Sequence, residues 1–205
     1  EYYIGGMYGI NDANLYDMYV MNTTVDGTKA TTHSVGGLVG HQNGYTITRL
    51  GVIENTITNQ GDYTGGIVGY KNGGYTQISY VDKNTIIGNN YVGSIVGRLK
   101  EAAVIYYIRG YNNNVAALTG YAGGILGWYE NNNASNSHAE GYVYNVVIED
   151  TNVVAPIHAG GLFGKMTSPI YIPNRVYSLF FSGNISADQE EGSAGPATGD
   201  EYNRD

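Results

Sequence analysis

Cysteine is absent from the 205 residues, which excludes a disulfide framework and any thiolate metal site. Charge is scarce too. Only 14% of residues are charged, 10 basic against 18 acidic, and no basic stripe exists to meet phosphate backbones, so no nucleic-acid partner is expected. No apolar run approaches the roughly 20 residues that a membrane-spanning helix needs, so no membrane insertion is expected. Nothing of helical length shows a 3.6-residue apolar period with caps; the best stretch, 99–105, is too short. The chain opens at Glu1 without methionine and reads as a processed product or excised fragment.

What is abundant is glycine (31 residues), tyrosine (21) and apolar residues (42%). This is not the composition of a disordered chain, which is poor in hydrophobic residues and rich in charge. One pentapeptide, two small residues, two apolar ones and a glycine, recurs six times. It begins at Gly5, Gly36, Gly65, Gly93, Gly123 and Gly160 and ends at Gly9, Gly40, Gly69, Gly97, Gly127 and Gly164. A period of about thirty residues marks a repeat architecture. Between copies lie short β-branched and aromatic bursts separated by Asn-Gly, Gly-Asp and Gly-Asn turn signals. A second recurrent element is an asparagine followed by small or apolar residues, at Asn22, Asn55, Asn84, Asn114, Asn152 and Asn184.

These features predict an all-β chain wound as a parallel β-solenoid (β-helix) of about six coils of ~30 residues, with three short strands per coil. The first and fifth glycines meet either a demand for positive φ or a close approach of backbones. Both middle positions are apolar in every copy, so either a bulged corner turns both inward or something covers the outer one. The asparagines either form a coil-to-coil amide ladder or bond their local backbone in turns. The solenoid is assigned to residues 1–187. Residues 188–205, with six carboxylates against Arg204, read as an acidic linker or disordered tail. The polar run 130–141 reads as a loop protruding from one corner.

The six pentapeptides in phase resemble the GLUG repeat of bacterial surface proteins, including adhesins and the large streptococcal-type IgA-specific zinc metalloproteases. The resemblance covers roughly residues 4–187. It implies a cell-surface β-solenoid module and carries no catalytic activity, because the protease chemistry of that family lies in a separate domain.

The residues themselves argue weakly for chemistry. His-Glu-x-x-His and Gly-x-Ser-x-Gly are both missing. His33, His41, His138 and His158 fall at different phases of the repeat, so no metal site and no cofactor are expected. Glu54, Asp82 and Glu149, with Arg109, lie near the recurrent asparagines and would serve a polysaccharide-active groove if they converged. Surface charges flanking turns are the plainer account. Tyr63, Tyr91 and Tyr121 stand two residues before the first glycine, with Ser34 and His158 as departures. They would stack as an aromatic ladder, either facing a sugar or protein partner or packing a corner. Asn133, in the longest loop, heads one of three glycosylation sequons with Asn22 and Asn184.

The expected function is therefore a non-enzymatic, extracellular structural or adhesive module. Its expected partner is a host protein or glycan, met through one face that includes Tyr63, Tyr91, Tyr121, Asn133 and His138. Two alternatives are a filament subunit stacking copies of itself end to end, since no polar cap precedes the first pentapeptide, and a polysaccharide-active β-helix.

Overall fold

The computed structural model describes residues 2–29, 32–130, 141–167, 176–187 and 193–195. The chain winds as a parallel β-solenoid with no helix among the described residues. A middle coil runs Tyr63–Gly65, Val68–Asp82 and Thr85–Gly88, three strands as the repeat implies. The middle strand is long (15 residues); in the preceding coil it is divided into Val39–Asn43 and Ile47–Ile53. One sheet stacks the strands that end on the first pentapeptide glycine, and it holds seven of them. Its last member is Ser193–Gly195, paired residue for residue with His158–Gly160. The expected tail thus contributes a strand, and Gly195 falls in line with Gly160; the rest of 188–205 lies outside the described residues.

The pentapeptide is a pinched corner. Backbone N–H groups of Ile67 and Val68 both donate to the carbonyl of Ile95 in the next coil, at 2.9 and 3.1 Å. The same two-to-one pattern recurs from Met7 and Tyr8 to Leu38, and from Ile125 and Leu126 to Leu162. The coils stay in one-to-one register across this corner, so it is a tight bend and not a bulge, and it turns both apolar side chains inward. Leu38, Val39, Ile67, Val68, Ile95, Val96, Ile125 and Leu126 are all wholly buried, each row stacking on its equivalents at ~4.8 Å.

Close approach, not positive φ, explains the invariant glycines. Neither Gly65 nor Gly69 is left-handed. A Cβ on Gly65 would stand 2.0 Å from the carbonyl oxygen of Val68 and 2.8 Å from the amide of Gly97 one coil on. No side chain fits between backbones that close.

Left-handed turns occur elsewhere, in two columns. Asp17, Arg49, Ile78, Tyr107, Asn145 and Ser178 have φ between 49° and 56°; Asn22, Glu54, Lys83, Asn112 and Asp150, each five residues after a member of the first column, have φ between 48° and 55°. Asn and Asp adopt this region readily, whereas a β-branched residue there is strained. Ile78 is also 52% exposed, so burial does not compensate. Replacing Ile78 with Asn is expected to raise stability by about 1 kcal/mol, read as a higher Tm; an unchanged or lower Tm would show that the corner tolerates isoleucine without strain.

The asparagine ladder exists, but its register differs from the expected one. The buried ladder runs through Asn55, Asn84 and Asn113, at most 2% exposed. Asn55 Nδ2 donates to Asn84 Oδ1 at 3.2 Å, and Asn84 Nδ2 to Asn113 Oδ1 at 3.1 Å. Each amide also donates to a backbone carbonyl, of Val20, Val52 and Val81 in turn. Thr151 takes the next position, its hydroxyl oxygen accepting from the Asn113 backbone N–H at 3.4 Å. Asn114, Asn152 and Asn184 sit one residue later and therefore face outward, because side chains alternate along a strand. They form a second, exposed ladder, with bonds of 3.0 and 2.9 Å. Asn22 joins neither; it is exposed at a left-handed corner, and the backbone N–H of Thr23 bonds Asn55 Oδ1.

One inward column is not apolar throughout. Asn11, Gln42, Lys71, Leu99, Tyr129 and Met166 are in register. Asn11 Nδ2 donates to Gln42 Oε1 at 2.8 Å. Lys71 is wholly buried, and its Nζ has no hydrogen-bond partner among the described residues.

Candidate functional site

Two outer faces gather chemistry. The first is the pinched corner, whose bend brings outward side chains on its two flanks together. Tyr63, Tyr91 and Tyr121 stack as expected: ring centroids are 5.7 Å apart for the first pair and 5.1 Å, with the rings nearly parallel, for the second. His158 continues the column at 5.3 Å from Tyr121. Across the bend stand His41, Tyr70, Arg98, Trp128 and Lys165, each the residue after a fifth glycine. The Arg98 guanidinium lies 5.1 Å from the Tyr63 and Tyr70 ring centres and 4.5 Å from Trp128. It donates to Tyr63 Oη at 2.8 Å and pairs with Glu130. Lys165 Nζ sits 5.0 Å from the Tyr121 ring centre.

This seam largely fills itself. Tyr63 is 7% exposed, and burial pushes the Tyr91 hydroxyl up to about 12. Cation–π contacts of this kind are worth about 0.5–2 kcal/mol each, so the seam acts as a clasp between coils. Three of the four histidines meet the seam: the Tyr3 ring lies edge-on to His33 and His41, and His158 stacks as above. Among the described residues no cluster of three His, Cys, Asp or Glu suits a metal ion. His138 and Asn133 lie outside the described residues. The cross-bend partners were legible as one phase, the position following each fifth glycine, but only the phase preceding the first glycine was read.

The second face lies between the two left-handed columns. Two reversals of backbone hand, a few residues apart, dish the outer surface into an open groove of about 1180 Å³. Of the candidate carboxylates, Asp82 and Glu149 line it together with Arg109, while Glu54 does not. Glu54 instead pairs with Lys83 at 3.2 Å. Arg109 holds Glu149 at 2.8 Å, and Arg49 holds Asp17 at 2.6 Å across the other end. Burial raises the Asp82 carboxyl above the ordinary carboxylate range, opposed by the positive field of Arg109. Gly51 lies in register with Tyr19 and Tyr80 on either side. With no side chain between them, those two rings approach to 6.1 Å. A partly exposed column, Tyr106, Tyr144 and Tyr177, stacks at 5.0 Å between successive rings, and Tyr107 lies edge-on to the first two at 5.3 and 6.2 Å.

No protein-family model matches this chain. No solved structure matches it either. Among curated proteins it is similar to halomucin of Haloquadratum walsbyi (strain DSM 16790 / HBSQ001), 33% identical over 141 residues. The match covers 61% of this chain but only 2% of halomucin.

Proposed function

We propose that this chain is an extracellular, non-enzymatic β-solenoid module of a surface protein, which holds a lateral face toward a host protein or glycan. The observation that carries this reading is the division between columns. Inward positions are dominated by apolar rows and an amide ladder that repeat from coil to coil, whereas aromatic rings and charge gather on two outer faces, the seam and the groove, whose residues change along the rod. Architecture of that kind supplies an extended surface and leaves recognition to the residues that change. The local similarity to halomucin, a mucin by name, supports a place at the cell surface. The GLUG-like pentapeptides support the same class.

A binding role suits the carboxylates better than catalysis. Glu149 and Glu54 are each neutralised by a basic partner from the neighbouring coil. Incubation with polysaccharides is expected to release no new reducing ends.

Display at the surface is tested with antibodies raised against the 205-residue chain. They are expected to label intact cells of the source organism. Labelling that appears only after permeabilisation would remove the reading.

A further inference from the structure

The groove between the left-handed columns has a composition that selects among ligands, and this step rests on the surface-module reading above. Its rings are reachable: Tyr19 is 49% exposed and Tyr107 56%. Its charges are mostly cancelled. Asp17, Asp82 and Glu149 face Arg49 and Arg109, a net of one negative charge, and four of the five are matched in the ion pairs at the two ends.

We propose that this groove binds a neutral oligosaccharide along the solenoid axis, with Tyr19 and Tyr107 as stacking faces and the Arg109–Glu149 pair holding hydroxyls. Aromatic rings offer the large, rigid apolar area that the C–H face of a sugar needs, and their hydroxyls keep a polar tip beside it. An arginine fixed by a carboxylate presents donor and acceptor side by side, which matches vicinal hydroxyl groups. The coils repeat at ~4.8 Å, close to the length of one sugar unit in an extended chain, so successive coils meet successive units.

Other ligand classes fit less well. A polyanionic glycan would meet a net negative wall. A peptide gains much of its affinity by adding a strand to a free sheet edge. Here the floor runs across coils whose backbone groups are already bonded to one another, so no edge is offered.

The test is a glycan array followed by titration calorimetry on the 205-residue chain, using neutral, uronate-containing and sulfated oligosaccharides. Neutral chains are expected to bind saturably. Tyr107→Asn, which removes the ring at a position where asparagine accepts the left-handed backbone, is expected to weaken binding about tenfold. Arg109→Ala, at an exposed side chain, is expected to do likewise. Tyr177→Ala, in the stacked column outside the groove, should leave affinity unchanged, and all three variants should keep the wild-type β-sheet circular dichroism. The proposal is overturned if no neutral glycan binds the folded chain, if only anionic chains bind, or if Tyr177→Ala costs as much as Tyr107→Asn. Any of these can occur while antibodies still label intact cells, so the groove can fail without the surface-module reading failing.

Discussion

Replacing Lys71 with methionine is expected to make the protein more stable at neutral pH, by several kcal/mol. Lys71 is wholly buried with no partner for its amine among the described residues, and burial lowers its pKa from 10.5 to about 7. In the unfolded chain the amine keeps its ordinary affinity for protons. Between pH 7 and 10.5 the unfolded state therefore binds more protons than the folded one, and stability rises with pH throughout that window. Below about pH 7 both states are charged, the dependence ends, and the full cost of burying the ammonium is felt. That cost is on the order of 5 kcal/mol, from 3.5 pH units at about 1.4 kcal/mol each. The window narrows from above. Burial raises the hydroxyl pKa of Tyr63, Tyr80, Tyr91, Tyr106 and Tyr144. Near pH 10 the unfolded chain loses tyrosine protons first, and stability turns down. Urea unfolding from pH 6 to 9 should show wild-type stability climbing above pH 7, and a flat profile for Lys71→Met, whose flexible thioether fits the same channel. A variant with the wild-type slope, or one less stable at pH 7, would mean that the amine is solvated in the folded state.

The second large effect runs the other way. Asn84→Ala is expected to cost about 3–5 kcal/mol, because two buried backbone groups lose their partners at once. The side-chain oxygen of Asn84 accepts from the Asn55 backbone N–H at 2.9 Å, and its Nδ2 donates to the Val52 carbonyl at 2.8 Å. Neither group can turn to water. The outer ladder supplies the control. Asn152→Ala removes bonds of similar length from exposed side chains, where water replaces them, and should cost below about 0.5 kcal/mol. Equal losses at the two positions would refute the distinction between a buried and a solvated ladder.

The sequence reading recovered what recurs in residue type and missed what recurs only in geometry. Pentapeptide phase, coil period and the Tyr63–Tyr91–Tyr121 stack are carried by residue identity, and all three are present in the fold. The ladder was misplaced by one residue at Asn114, because 112–114 is a run of three asparagines and only the pleat decides which one points inward. Thr151, doing a related job with a hydroxyl, gave no asparagine to find. The left-handed columns were hidden for a stronger reason: Arg49, Ile78 and Tyr107 share a backbone conformation but no chemistry. Without those columns the groove could not be foreseen, although Asp82, Arg109 and Glu149 had been singled out individually. The seventh strand was obscured because 195–199 reads Gly-Pro-Ala-Thr-Gly, which keeps both outer glycines and loses the apolar pair.

The parallel stacking also has a mechanical consequence. Every inter-strand hydrogen bond lies along the long axis, so a tether of this kind under axial load passes the whole force through each coil junction in turn. Interior coils are gripped on both sides, by backbone bonds, by the amide ladder and by the Arg98 clasp across the aromatic seam. Under tension the solenoid should lengthen by parting at its coil junctions, one roughly thirty-residue step at a time, and a ligand seated across several coils would splice those junctions together and raise the force at which they part.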